Sequence, residues 1–180
     1  RTDTVGPTVA DSTDATLDHD VLVVGGGTAG LSAGTFLARY GLNTLVLARG
    51  KSAIQQCASL ENFLGFPVGI TPERFLALGR KQVEYEGGTV REETVERVER
   101  TDIQERPTDS GGETPDVGGF RVESNERSYR VRYVLAATAY DGDMFESFIE
   151  GIETDGEFGM VDSESGRTAL DGLYAAGWMT

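Results

Sequence analysis

"VLVVGGGTAG", Val21 to Gly30, decides how the rest of this 180-residue chain is read. Val21 to Val24 form a short, largely β-branched apolar run of the kind that makes a buried strand, and the run ends in glycine. "TAGLSAGTFLARYG" follows, with Leu31, Phe36, Leu37 and Tyr40 at helical spacing and Gly41 as a stop. "NTLVLA", 43–48, is then a second strand, so the three pieces make a βαβ unit, whose crossover is almost always right-handed. Gly25, Gly27 and Gly30 satisfy G-x-G-x-x-G at the strand-to-helix junction, where the pattern has a mechanism. The first glycine permits the tight turn, the second lets a pyrophosphate approach the backbone, and the third lets helix and strand pack closely. The helix N-terminus then presents free N–H groups and the positive end of its dipole to the phosphates. The bland reading of the same residues is a tight turn without ligand.

The usual companion of the motif is an acidic residue at the end of the second strand, which accepts a hydrogen bond from a ribose hydroxyl. Here Ala48 and Arg49 stand there. They would suit the 2′-phosphate of NADP, or Arg49 is a solvated loop cation.

Outward from this unit, residues 1–16 are small, polar and acidic without apolar period, the signature of a disordered leader. "RGKSAIQQCASLENFLGFPVGI", 49–70, is too rich in Gly and Pro to be one regular element. "TPERFLALGRKQVEYEGG" offers Thr71 as N-cap, Pro72 at the first helical position and Gly87–Gly88 as a stop, with Phe75, Leu76, Leu78 and Val83 facing inward. "TVREETVERVERTD" reads as a third strand running into a more exposed one, and "GFRVES" and "YRVRYVLAAT" as strands flanking the turn "NE". The polar stretch 105–119 is a loop or hairpin tip, one helical turn is expected around Met144 to Ile149, and "LDGLYAAG" is a final short strand.

Composition narrows the classes. Thirty acidic residues against 16 basic ones give a net charge of −14, a field that repels nucleic acid and anionic membranes. Lys51 and Lys81 are the only lysines; an acidic, lysine-poor chain resembles proteins of salt-loving microbes. With one cysteine, Cys57, and one histidine, His19, neither an internal disulfide nor a thiol-based metal site can form. No apolar run reaches the roughly 20 residues of a membrane span, and no basic-then-apolar signal opens the chain, so a cytoplasmic protein is expected. The first residue, Arg1, fits a fragment of a longer protein.

The segments 20–50 and 60–90, the strand "YVLAAT" and the terminal "GLYAAG" occur in the order found in thioredoxin reductase-like flavoproteins of the pyridine nucleotide-disulfide oxidoreductase group. The chain resembles that family from Leu17 to Trp178, and the resemblance implies FAD at the first glycine motif. By the resemblance Gly25, Gly27, Thr28, Ala29 and Gly30 hold the pyrophosphate, beside Ala48 and Arg49. Asn62 lies at the flavin end, Val95 and Thr94 meet the adenine, Ala137 and Thr138 form the turn that crosses the cofactor, and Gly177 and Trp178 occupy the late Gly-Asp position. Three features depart from the family: Trp178 replaces its aspartate, Ala139 replaces the glycine of the Ala-Thr-Gly turn, and "ARGKSAIQQ" replaces a glycine-rich loop. The family's NAD(P)H domain and Cys-x-x-Cys pair have no counterpart between "AATAYDGDMF" and "GLYAAG", which leaves NAD(P)H as an electron donor without a second binding domain in this stretch.

Other candidates are weaker. Cys57 could face a flavin as a thiol, against a reading as a small buried hydrophobe. Tyr129, Tyr133 and Tyr140 read as packing residues, His19 as a strand-end residue, and the pairs Glu92–Glu93 and Asp141–Asp143 as a solvated acidic face. A serine nucleophile would have only His19 as base, so no hydrolase triad is expected.

The expectation is an α/β fold: an FAD-binding Rossmann-type parallel sheet with helices on both faces and an appended β-meander, about 90–135, in a single domain over 17–180. The function expected is an FAD-dependent oxidoreductase passing electrons to an unassigned small-molecule or protein partner, with a homodimer as an option. Its rivals are a degenerate non-catalytic nucleotide-binding or interaction protein and a single-domain NADP-dependent reductase.

Overall fold

The computed structural model describes residues 17–102, 118–138, 143–145, 166–168 and 170–177. β1 (His19–Val24), α1 (Thr28–Arg39) and β2 (Thr44–Leu47) realise the βαβ unit, with β1 and β2 parallel and Val21 opposite Thr44. A 3-10 turn (Ala53–Gln56) and an irregular loop lead to α2 (Pro72–Tyr85), which starts where Thr71 and Pro72 place it: the Thr71 side chain accepts from Arg74 N. β3 (Thr89–Arg91) then joins the free edge of β2 in parallel, Leu47 opposite Arg91.

β4 (Val95–Thr101), β5 (Gly119–Ser124) and β6 (Ser128–Ala136) form the antiparallel meander, joined at its last turn through Asn125 and Glu126. β6 is shared. It lies parallel to β1 on one side, while its other edge pairs β5 up to Val131 and β7 (Leu173–Ala175) from Val134 onward. The seven strands thus form one sheet, ordered β3-β2-β1-β6-β5-β4, with β7 also on β6.

Strand alternation divides the core between the two faces. Val21, Val23 and Val46 pack with Leu31, Leu76 and Val83 of the helices. Leu22, Val24, Leu45 and Leu47 pack instead with Val98, Phe120 and Val122 of the meander and with Phe145. Both α-helices therefore lie on one face among the described residues, and the meander fills the place on the other where helices were expected. A fully buried side chain of this size stabilises by about 1.5–3 kcal/mol, so Phe145 anchors its short 3-10 turn (Asp143–Phe145) firmly. The expected turn beyond it, the leader and the 105–117 loop lie outside the described residues.

The helix faces correct the sequence reading. α1 buries Gly30, Leu31, Gly34 and Ala38, while Phe36 and Tyr40 are exposed. α2 buries Pro72, Leu76 and Val83 and leaves Leu78 out. The cause is close approach: a β-carbon at Gly34 would lie 2.7 Å from Val46 Cγ2, so α1 meets the sheet through Gly34 and Ala38 beside Leu31, and Phe36 and Tyr40 turn away.

Candidate functional site: the glycine turn between β1 and α1

Gly25 turns the chain out of β1 with φ +117, a region L-residues avoid, and its N–H donates to Leu47 O across the strand ends. A β-carbon there would run into the carbonyl of Ala137, and one at Gly30 into the carbonyl of Gly25. The motif's first and third glycines are thus fixed by packing. The second is different. Gly27 is the N-cap of α1, supplies no side-chain hydrogen bond, and the first turn carries no acidic residue. The amides at the helix start consequently have no side-chain cap, and the first turn of α1 sets no carboxylate of its own against the positive end of the dipole.

What borders this turn favours an anion. A β-carbon at Gly27 would sit 2.9 Å from Ser52 Oγ, so that hydroxyl lies over the turn. Ser52 Oγ already accepts from the backbone of Gln55, while Gln55 Oε1 accepts from Ser52 N at 2.8 Å. With its acceptor side engaged, the Ser52 O–H can still donate to a phosphate oxygen. The basic stretch that departs from the family's loop therefore folds into a 3-10 turn that brings a hydroxyl to the glycines.

The turn gathers several of the expected residues. Ala137 N donates to Val24 O, Ala176 N donates to Ala136 O, and the chain at Gly177 comes so close that a β-carbon there would lie 2.8 Å from Ala29 Cβ. Ala48 is buried against Gly26. Thr28, Ala29, Ala137 and Gly177 thus converge on the helix start, with Thr138 following Ala137 and Arg49 exposed beyond Ala48. Val95 is buried at the start of β4, opposite Ser124. Asn62 is exposed in a loop closed by the Leu60–Ile70 bridge. Its neighbour Phe63 stacks edge-on against Phe75 at 4.7 Å and, with Thr28, borders an apolar cavity of about 230 Å³ between α1 and α2. Trp178 and Ala139 lie outside the described residues.

Two readings need correction. Cys57 is an exposed free thiol at the end of the 3-10 turn, where the chain leaves toward the surface, and not a buried hydrophobe. Glu93 is buried, not on a solvated face. It accepts from Ser124 Oγ at 2.6 Å and from the Tyr129 hydroxyl at 2.9 Å, with Arg127 Nε at 3.4 Å. Arg91 Nη1 donates in turn to the Tyr129 oxygen at 3.0 Å, which makes Tyr129 a polar hub and not only a packing residue. Burial alone would push the Glu93 carboxyl up, but the hydrogen bonds from Ser124 and Tyr129 and the charges of Arg127 and Arg91 hold it below its ordinary value. Burial and the Glu93 bond push the Tyr129 hydroxyl up. The alternation of β3 stops at Arg91, so strand period could not place Glu93.

Among the described residues no group of His, Cys, Asp and Glu could hold a metal, and no helix is long and apolar enough to cross a membrane.

Residues 18–60, from β1 through the 3-10 turn, match the family model of the FAD binding domain. NADH dehydrogenase of Bacillus subtilis (strain 168) is 34% identical over 93 residues, 51% of this chain and 18% of that protein. Thioredoxin reductase of Treponema pallidum (strain Nichols) is 35% identical over 88 residues, 47% of this chain and 28% of that protein. In fold, the thioredoxin reductase from Gloeobacter violaceus superposes with a TM-score of 0.56 at 24% identity, over 69% of this chain and 35% of its own. The chain spans less than a third of these curated relatives. The uncapped helix start, the Ser52 hydroxyl and the packed glycines fit the pyrophosphate of the cofactor that the family model names, and the chain has an α/β Rossmann-like FAD-binding fold similar to that of thioredoxin reductase.

Proposed function

We propose that this chain is the cofactor-binding part of an FAD-dependent oxidoreductase. The observation that carries the reading is the turn Gly25–Gly30 with its uncapped helix start, over which Ser52 lies. Backbone N–H groups of Gly27 to Ala29 hold the pyrophosphate, aided by the Ser52 hydroxyl and the dipole of α1. Ala137 and Thr138 pass beneath the cofactor, Gly177 closes the turn from the β7 side, and Val95 and Thr94 offer backbone to the adenine. Asn62 is assigned to the flavin end by resemblance alone.

Bound flavin supplies hydride and single-electron chemistry, and the protein's share is to bind, orient and exclude water. Curated relatives carry the names NADH dehydrogenase and thioredoxin reductase, which favours a nicotinamide donor. The proposed acceptor is a small-molecule or protein redox partner.

The test is to purify the protein in about 2 M KCl, where screening offsets the −14 charge, add FAD and pass it through gel filtration. Flavin absorption that co-elutes with the protein is the expected result, and bleaching by NADH or NADPH then identifies the donor. Protein that emerges colourless overturns the flavoprotein reading.

A further inference from the structure

Glu92 belongs to no interaction described above, and its carboxylate lies beside Gly50 in the loop after β2, the strand end where dinucleotide sites keep their ribose ligand. The strand that normally supplies that carboxylate, β2, is followed here by Ala48 and Arg49. β3 runs beside it: Leu47 faces Arg91, and Ala48 N donates to Arg91 O at 2.9 Å. Glu92 follows directly, and its side chain reaches back toward the loop after β2. A β-carbon at Gly50 would lie 2.7 Å from Glu92 Oε1, and Gly50 adopts φ +86. Glycine at position 50 thus gives the carboxylate room against the backbone. On the other side of the same strand end, Ala48 packs against Gly26 of the phosphate turn. Neighbouring strands lie about 4.8 Å apart, a gap that a glutamate side chain spans.

We infer that Glu92, projecting from the end of β3, replaces the missing β2 carboxylate and accepts hydrogen bonds from the 2′- and 3′-hydroxyls of the adenosine ribose. An ionised carboxylate only accepts, so it suits a ribose diol and repels a ribose 2′-phosphate. The site then takes an unphosphorylated adenosine diphosphate moiety such as that of FAD, and Arg49 does not make it a site for NADP. The inference rests on the dinucleotide reading of the glycine turn.

The test compares binding of ADP, 2′-deoxy-ADP and FAD by calorimetry to the wild type, Glu92→Ala and, as a control for loss of one charge, Glu96→Ala. Glu92 and Glu96 are both exposed, so neither change threatens folding. The wild type and Glu96→Ala are expected to prefer ADP over 2′-deoxy-ADP roughly tenfold, the worth of one charge-assisted hydrogen bond. Glu92→Ala is expected to lose that preference and to bind FAD more weakly by a similar factor. A Glu92→Ala protein that keeps the preference, or a wild type that binds ADP without any, overturns the inference. A wild type that prefers ADP and loses the preference in Glu92→Ala but rejects FAD keeps Glu92 and overturns the flavoprotein reading. Failure to bind either nucleotide overturns both.

Discussion

The Tyr129 hydroxyl lies 2.9 Å from both carboxylate oxygens of Glu93, and through this contact β6 at the centre of the sheet holds the connection that follows β3. Asn125 completes the clamp: its side chain accepts from Thr94 N at 2.8 Å, and its backbone N donates to Thr94 O at 2.9 Å. The segment held in this way runs from Glu92 to Val95. It holds the residues proposed above for ribose and adenine, so under that proposal a polar network remote from the glycine turn would position the nucleotide's far end.

Tyr129→Phe removes one donor to a buried carboxylate and one acceptor for Arg91. A buried polar group left short of a partner costs about 1–3 kcal/mol. The variant is expected to unfold at lower urea by that amount and to bind ADP more weakly, because the β3–β4 connection loosens. Unchanged urea midpoint and unchanged ADP affinity together would remove the network from any role in stability or positioning.

The same network makes stability depend on pH in a defined direction. Glu93 is held below its ordinary 4.5, so its stabilisation is fully present above that value and is lost as pH falls through the lower folded-state one. Tyr129 is held above its ordinary 10.0, so its contribution is complete below that value and is lost as pH climbs through the raised one. Glu93→Gln should therefore differ most from the wild type at neutral pH, with the gap closing in acid. Urea midpoints of both proteins between pH 7 and pH 3 decide this, and a gap that widens in acid has the sign wrong.

The glycines of the turn separate fold from cofactor. Gly25→Ala and Gly30→Ala each drive a methyl into a backbone carbonyl, of Ala137 and Gly25 respectively, and Gly25 also has a φ that alanine resists at a cost of about 1–2 kcal/mol. Both variants are expected to lose thermal stability. At Gly27 the obstacle is only Ser52 Oγ, the end of a side chain on a short surface turn that can shift. Gly27→Ala is expected to melt near the wild type and to lose FAD. Thermal melts read beside flavin retention give the answer, and a Gly27→Ala protein that keeps its flavin would move the pyrophosphate elsewhere.

These residues also show how far the sequence is legible. The β1 turn, the N-cap Thr71 and the succession of strands and helices along the chain follow from local chemistry: glycine at a forced turn, proline where no N–H is needed, β-branched runs in buried strands. Phe36, Tyr40 and Leu78 misled because helical period assumes that large apolar side chains mark the inner face, whereas α1 approaches Val46 through Gly34 and α2 approaches Leu31 through Gly79. Glu93 escaped for a different reason. Its partners Ser124, Arg127 and Tyr129 arrive from a hairpin more than 30 residues away, and no local pattern announces a buried carboxylate whose cost is met by distant donors.

The charge distribution along α2 yields the last test. The helix ends in Glu84, Tyr85 and the C-cap Glu86, with no basic residue in its last turn, so acidic side chains stand at the negative end of its dipole. The net charge of −14 adds repulsion at long range, and both terms are electrostatic and screened by salt. The wild type is therefore expected to melt higher as KCl rises from about 0.1 M to about 1 M, over which the Debye length falls from roughly 10 Å to 3 Å. Glu86→Lys converts the unfavourable end charge to a favourable one, an effect of about 0.3–1 kcal/mol at low salt. Its stabilisation should be visible in dilute buffer and fade at high KCl. Melting curves of the two proteins across that range decide the matter: a wild type indifferent to KCl removes charge repulsion as a limit on this fold, and a Glu86→Lys gain that persists at high salt points to packing in place of the dipole.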